Sequence, residues 1–211
     1  MTRSWDNTTP ARTLIKICGI RDATMLQVAV DAGADAIGFV LAPGSPRSVS
    51  LDEAIRLAES LPDHVAPVGV VVDAEAVIRE GWSDRWIQLH GQEEESIAAG
   101  YPGPVIRAIP FEQHAVRQWD GCAEVDRLLI DAPAPGSGRS FDHDAFAALD
   151  HHPTTPIIVA GGLDPESVAG VVDRLRPWAV DVSSGVESSP GTKDAAKIID
   201  FCQAVRDTDA P

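Results

Sequence analysis

Lysine is scarce in this chain: Lys16, Lys193 and Lys197 are the three it has. Acidic residues outnumber basic ones 32 to 17, for a net charge of −15, which argues against nucleic acid or an anionic membrane as a partner. Cysteine is sparse too. Cys18, Cys122 and Cys202 are odd in number, far apart and without paired metal-ligand spacing, so neither a disulfide framework nor a zinc site is expected, and the thiols should be free in a reducing compartment. No apolar run is long enough to cross a bilayer, and the opening MTRSWDNTTPAR lacks the apolar centre of a signal peptide; the expected location is the cytoplasm. Linkers and low-complexity segments are missing as well, so the expectation is a single domain over 1–211 with loose ends at about 1–12 and 207–211.

What is present is a regular alternation. Short runs rich in Val, Ile and Leu begin at positions 14 (LIKIC), 36 (AIGFVL), 66 (APVGVVV), 86 (WIQL), 105 (VIRAI), 127 (RLLID), 157 (IIVAG) and 179 (AVDV), eight in all. Between them lie helical patterns with end signals: Ser50 with Glu53 as a capping box, Asp164 with Pro165 and Glu166 as a helix start, and Gly33 and Gly100 as stops. Continuous apolar runs suit strands buried on both faces, and their alternation with helices implies parallel pairing. An open doubly wound sheet fits the same pattern, but eight such units close naturally into a (β/α)8 TIM barrel, with its chemistry at the C-terminal strand ends.

The strand ends are where polar and glycine residues gather. Gly161 and Gly162 precede a helix, and Ser183, Ser184 and Gly185 can open a short extra one after strand eight. Free backbone amides at such turns attract anions, and the loops after strands 7 and 8 are the usual phosphate site of this fold. A chain poor in lysine can hold phosphate this way.

Cys18 and Asp131 end strands one and six, where their side chains can face each other across the barrel mouth. Cys18 reads either as a small buried hydrophobe or as a base, helped toward thiolate if the Lys16 ammonium reaches it. Lys16 reads equally as a core-lining, ion-paired residue. Asp131 is costly to bury alone, so it is either hydrogen-bonded within its loop or aimed at a ligand as an acid. Arg47 can fork onto a substrate carboxylate or brace its loop through a salt bridge. His90 reads first as hydrogen-bonded structure and is given no main role.

Together the stretches KICGIRD, DAGADAIGFVLAPGSPRSVS, IQLHG, LLIDAPAPGSGRSFD, VAGGLDPESV and AVDVSSGVESSPGTKD resemble the phosphoribosylanthranilate isomerase family, over essentially Leu14 to Cys202. The resemblance implies a TIM barrel and an Amadori rearrangement of N-(5-phosphoribosyl)anthranilate in tryptophan biosynthesis, with no metal or organic cofactor and a phosphorylated small molecule as substrate. It implies Cys18 as general base, Asp131 as general acid, Arg47 on the anthranilate carboxylate, and Gly161, Gly162, Ser183, Ser184 and Gly185 on the phosphate. Asp181 would face the sugar, and Gly138 would belong to a mobile flap. Departures from the family pattern are Ser48, where an aromatic is common, Pro135-Gly136-Ser137-Gly138 in the flap, and His143 in place of a tryptophan. The rival readings are another phosphosugar isomerase or epimerase barrel, and a non-catalytic phosphosugar-binding protein. The first would use paired aspartates or a metal; the second would be expected to lose Cys18 or Asp131, and both are present. Monomer and homodimer are both compatible with the sequence.

Overall fold

The computed structural model describes residues 4–6, 9–73, 81–131, 146 and 153–208. Eight parallel strands close into a barrel in sequence order: β1 (Leu14–Cys18), β2 (Ala36–Val40), β3 (Ala66–Val71), β4 (Trp86–Leu89), β5 (Val105–Pro110), β6 (Arg127–Asp131), β7 (Ile157–Val159) and β8 (Ala179–Val182). The seam is made by β1 against β8, with Lys16 opposite Asp181. The described helices are α1 (Ala23–Asp31), α2 (Leu51–Glu59), α3 (Glu95–Ala99), α4 (Gln113–Trp119), α5 (Val168–Leu175) and α6 (Ala195–Thr208). Past β8 come a 3-10 turn at Ser184–Val186 and a small hairpin of β9 (Glu187–Ser189) and β10 (Thr192–Lys193). No helix among the described residues is long and apolar enough to cross a membrane.

Alternation explains why whole strands are apolar. Ile15, Ile17, Ile37, Phe39, Leu128 and Ile130 pack outward with helix residues such as Leu57, Val171 and Phe201. Their neighbours Leu14, Ala36, Ala66, Ile106, Leu129, Ile158 and Ala179 fill the lower interior together with Trp5, Trp86 and Trp178. A third patch of Cys18, Val40, Ala42 and Val70 lies at the C-terminal ends. Since side chains alternate faces along a strand, the inward set continues as Lys16 and Cys18, Gln88 and His90, Asp131, and Asp181 and Ser183. Apart from Arg127 in the floor layer, the polar side chains of this inward set lie toward the C-terminal end of the barrel.

Two helix starts differ from expectation. Ser50 Oγ accepts the Glu53 N–H at 3.2 Å, but the Glu53 carboxylate turns to Arg56 instead of back to Ser50, so the capping box is half made. Asp164 opens a tight turn, with its carboxylate accepting from the Ser167 N–H at 2.8 Å, and α5 begins only at Val168, where the Asp164 carbonyl takes the first helical bond. Pro165 has no N–H to give, and the turn lets the helix start beyond it.

Candidate active site

Cys18 ends β1, where its sulfur lies over β2: a Cβ placed on Gly38 would come within 2.8 Å of Sγ. The backbone then turns at Gly19, in the left-handed region at φ +81°, with the stem of Arg47 against it. Two positions earlier on the same inward face, Lys16 Nζ donates to Asp181 Oδ1 at 2.7 Å, with Lys16 fully buried. Burial alone would push this ammonium down, yet the Asp181 carboxylate and the Cys18 thiolate hold it above the ordinary lysine value. For Cys18 the balance goes the other way: burial pushes the thiol up, and Lys16 and Lys193 offset only part of that, against Asp181.

Asp131 ends β6 at the same rim, partly open to solvent, with its carbonyl accepting from Phe111 N at 3.0 Å. A cavity of about 610 Å³ reaches it and is also lined by His90, Glu112 and Trp119. Another of about 480 Å³ opens at the opposite face, beside Asp63, Arg85 and Trp86. Its lining has none of the residues at the C-terminal strand ends, where the chemistry of this fold sits.

Gly161 and Gly162 both take left-handed backbone, at φ +82° and +72°, which glycine adopts without strain. Their loop touches the Ser183–Gly185 loop so tightly that a Cβ on Gly185 would meet the Leu163 carbonyl at 1.9 Å. Among the described residues the amides of Gly161 and Gly162 have no hydrogen-bond partner, leaving two donors at the junction of the two loops.

A sequence profile for N-(5′-phosphoribosyl)anthranilate (PRA) isomerase matches residues 15–204. The chain belongs to the phosphoribosylanthranilate isomerase family. It is 42% identical to the N-(5′-phosphoribosyl)anthranilate isomerase of Leptothrix cholodnii, across 95% of this chain and 94% of that one. Among solved structures it resembles phosphoribosyl anthranilate isomerase from Thermus thermophilus, with TM-score 0.81 and 36% identity over 92% of this chain and 99% of that chain. It is also similar to a phosphoribosyl anthranilate isomerase in complex with reduced 1-(o-carboxyphenylamino)-1-deoxyribulose 5-phosphate, with TM-score 0.76 and 31% identity over 92% and 99% of the two chains.

In this isomerase-family chain, Arg47 lies in the loop after β2 and gives Nε and Nη2 to the two oxygens of Glu187 at 2.7 and 2.8 Å. That salt bridge occupies the side-on edge of the guanidinium. The end-on edge, built from Nη1 and Nη2, still has N–H groups to present to a second carboxylate.

Sequence reasoning missed Glu187 and Lys193. Lys193 is buried and donates to the Ser183 carbonyl at 2.8 Å and to Glu187 at 3.0 Å, while Lys197 donates to the Glu187 carbonyl at 2.8 Å. Burial pushes Lys193 down, partly opposed by the Cys18 thiolate and Glu187. All three lysines of a chain with net charge −15 thus gather around β8 and the hairpin after it. Their scarcity was the available signal. Gly138 and the departures Pro135 and His143 lie outside the described residues.

Proposed function

We propose that this chain catalyses the Amadori rearrangement of N-(5′-phosphoribosyl)anthranilate to 1-(2-carboxyphenylamino)-1-deoxyribulose 5-phosphate, a step of tryptophan biosynthesis, acting in the cytoplasm as one barrel domain. Family membership supports the reaction. The observation that carries the residue assignment is the common inward parity of Cys18 and Asp131 at the C-terminal ends of β1 and β6.

Asp131, as general acid, gives its proton to the furanose ring oxygen; the C1–O bond breaks and the anthranilate nitrogen's lone pair forms an iminium. Cys18, as thiolate, takes the proton from C2, and that C–H pair becomes the C1–C2 double bond of an enolamine. The enolamine then gains a proton at C1 and loses one at O2, which yields the ketone. These last two transfers cancel the thiol's gain and the carboxylate's loss. The substrate's own nitrogen is the electron sink.

The phosphate is held by the loops of Gly161–Gly162 and Ser183–Gly185, the anthranilate carboxylate by the end-on edge of Arg47, and the sugar runs beside Asp181. Lys16 and Lys193 supply the positive field that a thiolate needs inside an acidic protein.

Cys18→Ala and Asp131→Asn should each lower turnover of freshly made phosphoribosylanthranilate, followed by loss of its fluorescence, by at least about a hundredfold while the far-ultraviolet dichroism stays unchanged. Turnover near the unsubstituted value in either variant would refute the assignment.

A further inference from the structure

His90 follows β4 on its inward face, and its Nε2 lies 3.3 Å from Asp131 Oδ2. Even-numbered strands of such a barrel share interior layers, so the ends of β4 and β6 meet although β5 runs between them. The other ring nitrogen, Nδ1, is 2.9 Å from the side-chain amide nitrogen of Gln88, a buried residue two positions earlier on the same strand face. In the neutral ring, an amide N–H facing Nδ1 makes that nitrogen the acceptor and puts the single ring proton on Nε2, toward Asp131. The loop carrying His90 is itself braced. Glu93 accepts from the Gly91 N–H at 2.7 Å and from buried Arg107 at 2.7 Å, which also donates to the Gly91 carbonyl at 3.0 Å.

We propose that His90 is a positioning residue for the general acid: its Nε2–H, fixed there by Gln88, holds Asp131 Oδ2 as an acceptor, so that the transferable proton sits on Oδ1 and is presented to the sugar. The inference rests on the reading of Asp131 given above. A carboxylic acid whose proton can sit on either oxygen has no single acidic direction. One held by a neutral donor has a defined acidic oxygen, and the donor brings no positive charge that would favour the ionised carboxylate. Such contacts are often long before substrate arrives and tighten in the complex.

The experiment compares His90→Ala, His90→Asn and Gln88→Met with Asp131→Asn. His90→Ala should lower kcat about tenfold to a hundredfold, with the KM for phosphoribosylanthranilate within about twofold of the unsubstituted value. His90→Asn, whose amide keeps an N–H donor, should recover most of that loss. Gln88→Met, which leaves the imidazole in place but frees its tautomer, should lower kcat in the same sense. In substrate-free protein the nitrogen-15 spectrum of His90 should report a proton on Nε2 in the unsubstituted chain and a mixture in Gln88→Met. A proton on Nδ1, a kcat unchanged in His90→Ala, or a loss lying entirely in KM would overturn the inference. If His90→Ala fails to fold, His90→Asn and Gln88→Met decide, because both keep a side chain of similar size. Asp131→Asn separates the two levels: an active Asp131→Asn sinks the reading of the acid, whereas an inactive one beside a fully active His90→Ala sinks only the role of His90.

Discussion

Lys16 and Asp181 face each other in register across the seam that closes the barrel, and their side chains meet at 2.7 Å in its interior. The pair joins β1, which ends in Cys18, to β8, which leads into the Ser183–Gly185 loop, so one buried contact ties the proposed base to the proposed phosphate site.

Removing one partner leaves the other charge buried and alone. Lys16→Met is expected to cost about 3–5 kcal/mol in urea unfolding, and Lys16→Met combined with Asp181→Leu should recover most of it, because an apolar pair of similar size carries no stranded charge. Equal losses in the single and double variants would mean that packing, not charge, sets the cost.

The Cys18 thiol gives a pH signature. Burial raises its pKa and the two nearby ammonium groups offset that only in part, so the thiolate fraction is small at neutral pH and grows as pH rises past the ordinary thiol range. In a Cys122→Ser, Cys202→Ala background, alkylation by iodoacetamide should still be accelerating where a free thiol has levelled off, at about pH 9–10. A plateau reached below about pH 8 would show instead that Lys16 and Lys193 outweigh burial.

The strands were legible because buried parallel strands leave unbroken apolar runs, and all eight runs coincide with observed strands. The positions of Cys18, Asp131 and the glycine loops at the C-terminal strand ends were legible because they directly follow the apolar runs. Glu187 and Lys193 were not: they sit on a hairpin whose strands have three and two residues, too short for any period to emerge. The meeting of His90 with Asp131 was hidden for another reason. It depends on barrel curvature bringing β4 and β6 together across β5, and sequence order carries no measure of curvature. For Arg47 the sequence allows two fates, a loop brace or a carboxylate ligand; the brace is present, and a guanidinium has edges enough for both.

Those two edges can be separated experimentally. If Arg47 serves Glu187 and a substrate carboxylate together, Arg47→Lys cannot replace it, since an ammonium lacks the fork that spans both. Arg47→Ala and Arg47→Lys should therefore each raise KM about tenfold or more, with kcat changed by no more than a few-fold. An unchanged KM in both would leave Arg47 a loop brace alone.

Trp5 is the counterpart at the closed end of the barrel. It stands in a polar stretch with no periodicity to mark it, yet it is fully buried, with ring centroids 4.7 Å from Trp178 and 6.4 Å from Trp86, both edge-on. Arg127 completes the layer, its guanidinium 4.4 Å from the Trp178 ring and 5.3 Å from that of Trp86. Because this layer fills the floor beneath Leu14 and Ala179 and lies far from the strand ends that carry Cys18 and Asp131, Trp5→Ala should be costly for stability and nearly silent for chemistry. The expected loss is about 3–5 kcal/mol in unfolding free energy, with kcat at 25 °C within about twofold of the unsubstituted chain. Trp5→Phe should lose much less, because it keeps a ring for Trp178 and removes an indole N–H that has no partner among the described residues. A Trp5→Ala chain that melts like the unsubstituted protein would show that the floor is held by Arg127 and its two flanking indoles without the N-terminal segment.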